Sequence, residues 1–580
     1  MLTQRPVGAS AGFAIGASAL VAVGLLAWGH RVSGGAVLSS QPVTVVVFLL
    51  AFFGTLVAGG KHWPLRDVSQ GWAWCGVAVA SAFLVWATWW GDPGGLPGDY
   101  TQHRMYTYQL LNGFPAPHVP YAGLPGHYTP LQSAAIALWM QCTGLSFHYA
   151  ALSFSLLVAS GVSWLAHGVA LRAGLGSGGA LFFAGLVATY GGAWFVGLYE
   201  FFLYLPGVQL AMPFLARNLG LLIVLLGVWL AQAAGRGEVS RAAAELGVGV
   251  LVGLLGLTRP WEFGIGVVGL LGWAVHARSR AAWVGLGLAW LLSSAYFGPL
   301  LVAWWELGVF ASREVARSDI WPTSPFLYLP LLPLVGVSAF HWRRAPSFVR
   351  ACAFGLAGVV FLSVGAGAMV EVESLLGMEG GLFKVDRIGQ WIALLWFGLA
   401  AYGLEQLRQP VKGAVCVLLL ALGFVSTLRV TSTWLDGEPT VFPERWFRPP
   451  TWVFGLGGSR LYVRDLLDDP REVVMAPASL GEFVARVNGV DVVYSRSAVP
   501  IWREGPFGRS SQAERREAVD SFYDSLRSGT VDNGLLSAWG ARWFLAPVSV
   551  QANFVTEVGE VRFGGAPWFL HRVGRAREGS

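Results

Sequence analysis

Long apolar runs separated by short polar connections occupy about the first 430 positions of the sequence. A run of about 18 or more apolar residues is typical of a membrane-spanning helix, because lipid-exposed backbone must satisfy its hydrogen bonds within one segment. The pattern predicts a polytopic α-helical membrane protein with about thirteen spans. They are Ala9–Trp28, Val43–Ala58, Trp72–Trp90, Tyr149–Ala170, Ala180–Val196, Pro213–Ala234, Leu246–Leu257, Phe263–Val275, Ala281–Ala303, Pro325–Phe340, Ala351–Met369, Ile388–Tyr402 and Ala414–Leu428.

Lysine and arginine residues concentrate in every second connection, which predicts the orientation of the spans. Basic residues in short connections mark the cytoplasmic side of a membrane. With a cytoplasmic N-terminus, that side holds Arg5, Lys61, Arg66, Arg172, Arg236, Arg241, Arg278, Arg280, Arg343, Arg344, Arg350, Arg408 and Lys412. The acidic residues of the opposite connections are Asp92, Asp99, Glu200, Glu262, Glu306, Asp319, Glu371, Glu373, Glu379 and Asp386. We therefore expect a multi-pass protein of the cell membrane whose C-terminal part is extracytoplasmic.

The pattern changes after the last predicted span. Residues 1–428 are predicted to form a transmembrane domain with a large outer loop at 91–148, and residues 429–580 a soluble extracytoplasmic domain. Strand-like runs EVVMAPAS, DVVYS and ARWFLAP alternate with the amphipathic stretches SLGEFVARVNG and SQAERREAVDSFYDSLRSG. Strands that alternate with helices predict a small α/β domain with a partly parallel sheet.

Composition agrees with the span pattern and excludes one class of partner. The chain is 54% hydrophobic and 12% charged, whereas about a quarter of a typical soluble domain is charged. The net charge of +6 is accounted for by the basic cytoplasmic connections, so it does not indicate nucleic-acid binding. The C-terminal part has no phosphate loop, nucleophile elbow or dinucleotide-binding motif.

The first long outer connection, Gly91 to Gln132, is the first place to look for function. It holds two carboxylates, three histidines and five tyrosines between two apolar spans. Asp99 precedes a segment whose apolar residues and closing Asn112-Gly113 predict a short amphipathic helix in the membrane interface. Asp99 suits the N-terminal cap of that helix. It equally suits a general base for a hydroxyl acceptor, because partial burial raises the pKa of a carboxyl group.

Further polar residues of this loop are candidates for substrate binding. Tyr128-Thr129-Pro130 is also typical of a turn before a second helix near Pro130. Tyr128 could equally anchor the loop in the headgroup layer. A surface position is the simpler interpretation of His127. The candidates are Tyr100, Arg104, His127 and Tyr128.

Four cations near predicted outer ends of the spans are candidate phosphate ligands. An arginine at membrane depth needs an anionic partner. For Arg259, in LLGLTRPWEFG, the partner is either Glu262 or a lipid-linked phosphate, which a guanidinium contacts with two parallel hydrogen bonds. Arg217 presents the same alternatives at another outer end. The last two candidates, Lys384 and Arg387, flank Asp386 before the twelfth span.

Metal binding has weaker support in the sequence. Glu371, Glu373 and Glu379 offer oxygen ligands, yet their spacing matches no metal site of known type, and a solvated loop is the simpler interpretation. No cofactor is assigned, and a divalent cation stays open as an alternative.

The order of these residues resembles the integral-membrane glycosyltransferases of the GT-C fold, which use polyprenyl-phosphate sugars. The resemblance rests on Asp99 in GDY within the first large outer loop, the following YTQHRMYTYQLLNG, and GHYTPLQSAAIALWMQCTG. It extends through LTRPWE and the general layout of the C-terminal third. Within the family, the spacing is most similar to the actinobacterial arabinofuranosyltransferases, which also carry a soluble outer C-terminal domain.

The resemblance implies an inverting transfer of a sugar from a decaprenyl- or undecaprenyl-phosphate donor. Asp99 would deprotonate the acceptor hydroxyl, and outer-face cations would stabilise the departing lipid phosphate. The implied partners are this donor, a cell-envelope glycan, lipid or protein acceptor, and membrane lipids. The family often has two adjacent acids, whereas Tyr100 follows Asp99 here. Arabinofuranose, mannose and other sugars stay open.

Two other functions compete with this expectation. A transporter or flippase of envelope precursors typically places charges within spans and shows repeated halves. Here the charges cluster at outer ends and no internal repeat is evident. A non-catalytic assembly or sensor protein would instead use the C-terminal domain as its working part.

Overall fold

The computed structural model of the chain describes most residues after the first two predicted spans. The described residues are 77, 79–85, 98–113, 129–145, 147–192, 205–212, 216–307, 325–375, 389–436, 463–494, 506–563 and 566–574.

The described part is mostly helical, and a small sheet lies near the C-terminus. The helices are α1 Gly98–Leu111, α2 Leu131–Thr143, α3 Phe147–Arg172, α4 Ser177–Thr189, α5 Pro206–Leu210, α6 Ala216–Gly235, α7 Arg241–Gly256, α8 Pro260–Ala277, α9 Arg280–Leu307, α10 Leu332–Phe340, α11 Ser347–Leu375, α12 Gly389–Glu405, α13 Gln409–Asp436, α14 Val463–Leu466, α15 Gly481–Asn488, α16 Pro506–Arg527 and α17 Asn533–Ala538. Two short 3₁₀ segments, Pro325–Leu331 and Trp342–Arg344, flank α10.

From Tyr149 onward, every predicted span overlaps a helix, although the first half of Pro325–Phe340 is the 3₁₀ segment Pro325–Leu331. Three stretches are long and apolar enough to cross a membrane: Ala150–Arg172, Arg217–Gly235 and Gln409–Thr433. Shorter apolar helices accompany them. The first two predicted spans lie outside the described residues, and only 77 and 79–85 of the third are described, as helix.

Several predicted boundaries differ from the observed ones, and two of them have a local reason; helix α13, for example, runs on to Asp436, past the predicted end at Leu428. The span predicted to reach Val196 ends as helix α4 at Thr189, since Tyr190 is extended and Gly192 has a left-handed φ of 84°. Glu371 and Glu373 belong to helix α11 and not to a solvated loop, because the helix continues past its apolar run. Glu379 lies outside the described residues.

Three of the connections predicted to be cytoplasmic lie together at one end of the helical bundle. Arg172, which ends α3, forms an ion pair of 2.7 Å with Glu238 in the turn between α6 and α7. The carboxylate of Glu405, which ends α12, lies against the backbone of Gly176, which precedes α4. These three basic connections therefore share one end of the fold.

Helices α7 and α9 approach closely because glycines occupy their crossing. A methyl group added at Gly249 would overlap the backbone oxygen of Gly285, and one added at Gly253 would press on Leu292. Small residues at a membrane helix crossing let two backbones come together.

The C-terminal sheet has four strands, β1 Val473–Met475, β2 Ala541–Ala546, β3 Val555–Phe563 and β4 Ala566–Val573, in the order β1-β2-β4-β3. Strands β1 and β2 are parallel, and the other two pairs are antiparallel. The partly parallel sheet is as predicted from the sequence. The DVVYS run forms only a parallel bridge between Val492 and Val474. The hairpin of β3 and β4 was not predicted.

Helix α1 lies between the helical bundle and the C-terminal domain. Met105 and Tyr106 are buried in a cluster with Val484 and Trp543 of the C-terminal domain. Tyr108 is buried in the main cluster of the bundle instead. The sequence predicted this helix correctly. Its middle is covered by protein on more than one side, and its expected position in the membrane interface stays a prediction.

Candidate functional site

Asp99 and Tyr100 lie in the first turn of α1, near the helix N-terminus, as the sequence predicted. The structure describes their backbone, while their side chains fall outside the described part. Positive partial charge at a helix N-terminus stabilises a carboxylate. The role of Asp99 as cap or base stays a prediction.

Arg104 is part-buried one turn further along α1. Its guanidinium carbon lies 5.5 Å from the centre of the Tyr108 ring, a cation–π contact. Its charge also acts on the imidazole of His148 at the start of α3. Tyr108 contacts Phe147 with 6.4 Å between ring centres. Arg104 therefore takes part in joining α1 to α3.

A second group of polar residues gathers where α6, α8 and α12 begin. Nη1 of Arg259 lies 3.1 Å from Oε1 of Glu262, and the two side chains are only 8% and 1% exposed. Nε2 of Gln390 donates a hydrogen bond of 3.1 Å to the same carboxylate oxygen. Arg217 is close enough for its charge to act on Glu262, and the Trp391 side chain lies beside that carboxylate. We call these five residues the arginine cluster.

Local sequence explains how the arginine cluster is formed. Arg259 is the N-cap residue of α8 with an extended backbone, and Pro260 follows at the first helical position. Proline is favoured at this position because a backbone N–H there would have no acceptor within the helix, so proline, which has no N–H, loses no hydrogen bond. Arg259 and Glu262 then lie three residues apart, a spacing that brings side chains together at the start of a helix. The pairing with Glu262 expected as one alternative is thus present.

Helix α2 connects the outer loop to the arginine cluster. The backbone N–H of Leu131 donates to the carbonyl of Leu257 at 3.0 Å, two residues before Arg259. The Leu131 side chain packs in a cluster with Leu255 and Phe263. Helix α1 packs against α2 in turn. The loop helix that bears Asp99 is therefore linked through α2 to the end of the bundle where the arginine cluster lies.

The chemistry available at this end favours an anion. Helices α6, α8 and α12 begin there, and a helix N-terminus carries positive partial charge on its free N–H groups. Two guanidinium groups add positive charge, of which the Glu262 carboxylate offsets one, and guanidinium matches the geometry of phosphate oxygens.

Four predicted site residues lie outside the described residues: His127, Tyr128, Lys384 and Arg387. Gln390, three residues after Arg387, does contact the arginine cluster, so the chain that follows Lys384 and Arg387 reaches this site.

Sequence reasoning missed Gln390 and Trp391. The available signal was a polar residue followed by an aromatic one at the outer end of an apolar run, a weak pattern because aromatic residues are common at membrane surfaces. Among the residues that the structure describes, no group of three His, Cys, Asp or Glu side chains is arranged to hold a metal ion.

Comparison of the sequence with models of protein families and with curated proteins finds no match in either set.

Proposed function

We propose that this chain is a membrane glycosyltransferase that moves a sugar from a polyprenyl-phosphate donor to an acceptor of the cell envelope. The observation that carries the proposal is the link between loop helix α1 and the arginine cluster through α2. An inverting transfer needs a base for the acceptor hydroxyl and positive charge for the departing phosphate. Asp99 and the arginine cluster are candidates for these two roles.

The proposed reaction is a single displacement. Asp99 takes the proton from the acceptor hydroxyl while that oxygen attacks the anomeric carbon of the donor. The bond between the anomeric carbon and the phosphate oxygen breaks, and the polyprenyl phosphate leaves with the electron pair. Arg217 and Arg259 would stabilise its charge, together with Lys384 and Arg387.

A lipid-linked phosphate suits the location of the arginine cluster. We propose about thirteen membrane spans, with the N-terminus cytoplasmic and the C-terminal domain extracytoplasmic. Three of the basic connections, those that follow α3, α6 and α12, lie at one end of the bundle and support this orientation. The phosphate of a polyprenyl phosphate lies at the membrane surface. The arginine cluster lies at helix ends opposite the basic connections, where such a phosphate would reach it.

Arabinofuranose is the first sugar to test, because the spacing of the outer-loop motif resembles that of the arabinofuranosyltransferases. The purified protein would be placed in liposomes with labelled decaprenyl-phosphate arabinofuranose and a short envelope glycan. The proposal predicts labelled glycan and free decaprenyl phosphate. Movement of the intact donor across the bilayer without any labelled product would instead support a flippase and contradict the proposal.

A further inference from the structure

The end of α1 is hydrogen-bonded to the end of a helix in the C-terminal domain. Nδ2 of Asn112 donates to the backbone carbonyls of Asn488 and Gly489, at 3.1 and 3.0 Å. The last carbonyl groups of a helix have no partner within that helix, so a side chain from elsewhere can satisfy them. Asn112 thus completes the C-terminus of α15 from a position 376 residues away in the sequence.

Gly489 brings the two backbones into direct contact. It has a left-handed φ of 64° and closes α15 as its C-cap, with its N–H bonded to the carbonyl of Ala485. A methyl group at this position would overlap Tyr108 and the backbone nitrogen of Gln109. A side chain at Gly489 would therefore be disfavoured twice, by its backbone conformation and by the space that α1 occupies.

Apolar contacts extend the same junction along α1. Met105 and Tyr106 are 2% and 0% exposed and pack against Val484, Ala485 and other residues of the C-terminal domain. Burying large side chains of this kind stabilises the contact between α1 and the C-terminal domain. The C-terminal domain therefore contacts α1 over about two turns and at its end.

We propose that Asn112 is a positioning residue, through which the C-terminal domain fixes loop helix α1 and hence Asp99 at its other end. Asn112 follows Asp99 by thirteen positions, a distance of about 20 Å along a helix at about 1.5 Å per residue. A helix transmits a displacement of one end to the other. The contribution of Asn112 to catalysis rests on the proposed function, whereas its hold on α1 does not.

The test compares three variants of the full chain in detergent. Asn112→Asp keeps the shape of the side chain but replaces its donor with a carboxylate that faces two carbonyl oxygens. Asn112→Ala removes both hydrogen bonds without adding charge, and serves if the Asp variant does not fold. Asn553→Asp makes the same chemical change at an exposed asparagine of the C-terminal domain. For each variant we measure the rate of amide hydrogen exchange in residues 101–112 and the kcat and donor KM of sugar transfer.

We expect both Asn112 variants to speed exchange in 101–112 by about tenfold or more, because two hydrogen bonds to α1 are lost. We expect kcat to fall by about 10- to 100-fold, since a displacement of about 1 Å at a reacting group can have that effect. The donor KM should stay within about twofold, because the arginine cluster is untouched. Asn553→Asp should alter none of these quantities.

Unchanged exchange in 101–112 would overturn the hold of the C-terminal domain on α1. Faster exchange with unchanged kcat would overturn the positioning role. A rise in donor KM equal to the fall in kcat would also overturn it, because the defect would then lie in donor binding. If the wild-type protein transfers no sugar, the proposed function fails, and the exchange result still decides whether the C-terminal domain holds α1.

Discussion

Gln390 and Glu262 are 128 residues apart in the sequence, and Nε2 of the glutamine donates to Oε1 of the glutamate at 3.1 Å. Arg259 approaches the same oxygen at the same distance. One buried carboxylate thereby fixes the starts of α8 and α12 relative to each other and holds the Arg259 guanidinium in place. Removing one partner of such a buried pair typically costs about 3–5 kcal/mol.

The first prediction separates the two roles of Arg259. Arg259→Lys keeps the charge beside Glu262 but loses the two parallel hydrogen bonds that guanidinium gives to a phosphate. We expect the KM for the polyprenyl-phosphate sugar to rise by about tenfold or more, while the thermal midpoint of the protein changes little. Steady-state transfer assays and unfolding in detergent measure the two quantities.

Glu262→Gln is the matched control for that variant. It removes the carboxylate that holds the Arg259 guanidinium, so the thermal midpoint should fall, which Arg259→Lys is not expected to cause. If Arg259→Lys and Arg259→Ala both leave donor KM unchanged, Arg259 serves only as the structural partner of Glu262.

The second prediction concerns the close crossing of α7 and α9. Gly249→Ala places a methyl group against the backbone of Gly285, where no flexible side chain can yield. We expect a loss of stability of about 1–3 kcal/mol, typical of overpacking, and a lower thermal midpoint. Gly287→Ala on α9 is the control, because nothing lies within 4 Å of its added methyl group. Equal midpoints for the two variants would contradict the packing described here.

The third prediction follows from His571 in strand β4. Its ring stacks on Phe544 with 4.9 Å between centres, and its side chain is buried. Burial lowers the pKa of His571 below its ordinary 6.5, and the charge of Glu557 opposes part of that shift. Below pH 6.5 the unfolded chain therefore binds a proton more readily than the folded one, so stability falls as pH falls.

His571→Gln removes the titrating group at this position. We expect the thermal midpoint of the C-terminal domain to decline more between pH 7 and pH 5 in the wild-type protein than in this variant. The intact protein is heated at each pH, and the loss of protection from hydrogen exchange in residues 566–573 gives the thermal midpoint. The same decline in both proteins would rule out His571 as the cause.

The fourth prediction is topological. The distribution of lysine and arginine places the C-terminal domain outside the cytoplasm if thirteen spans precede it. A reporter that is active only in the cytoplasm, fused after Ser580, should give no signal. A strong signal would contradict the proposed orientation, because it would put the C-terminal domain and the α1 helix packed against it on the cytoplasmic side.

The helices could be predicted from the sequence where one local signal decides the structure. Apolar length predicted α3 and α6, and Gly489 predicted the end of α15, because left-handed backbone favours glycine. The end of α4 was missed because it depends on Gly191, whose backbone packs on Thr427 of a distant helix.

The contacts between distant segments could not be predicted from the sequence. In the sequence, Asn112 indicates only the end of a local helix. Its side chain nevertheless donates to the carbonyls of Asn488 and Gly489, 376 and 377 residues further along the chain. Gln390 reads as one polar residue at the edge of an apolar run. Only the fold, which brings the start of α12 beside the start of α8, gives it the Glu262 carboxylate as a partner. Arg259 and Glu262 were predictable as a pair because they are three residues apart.

The most direct test of the proposed function is sugar transfer by the Asp99→Asn variant. Asparagine caps a helix about as well as aspartate, so a capping role predicts near wild-type turnover. A general base contributes about two to four powers of ten in rate, so the proposed mechanism predicts a fall of about a hundredfold or more. The assay follows transfer from a polyprenyl-phosphate sugar in membranes that contain equal amounts of each protein. Turnover close to wild type in the variant would contradict the proposed role of Asp99 and leave the transfer mechanism without its base.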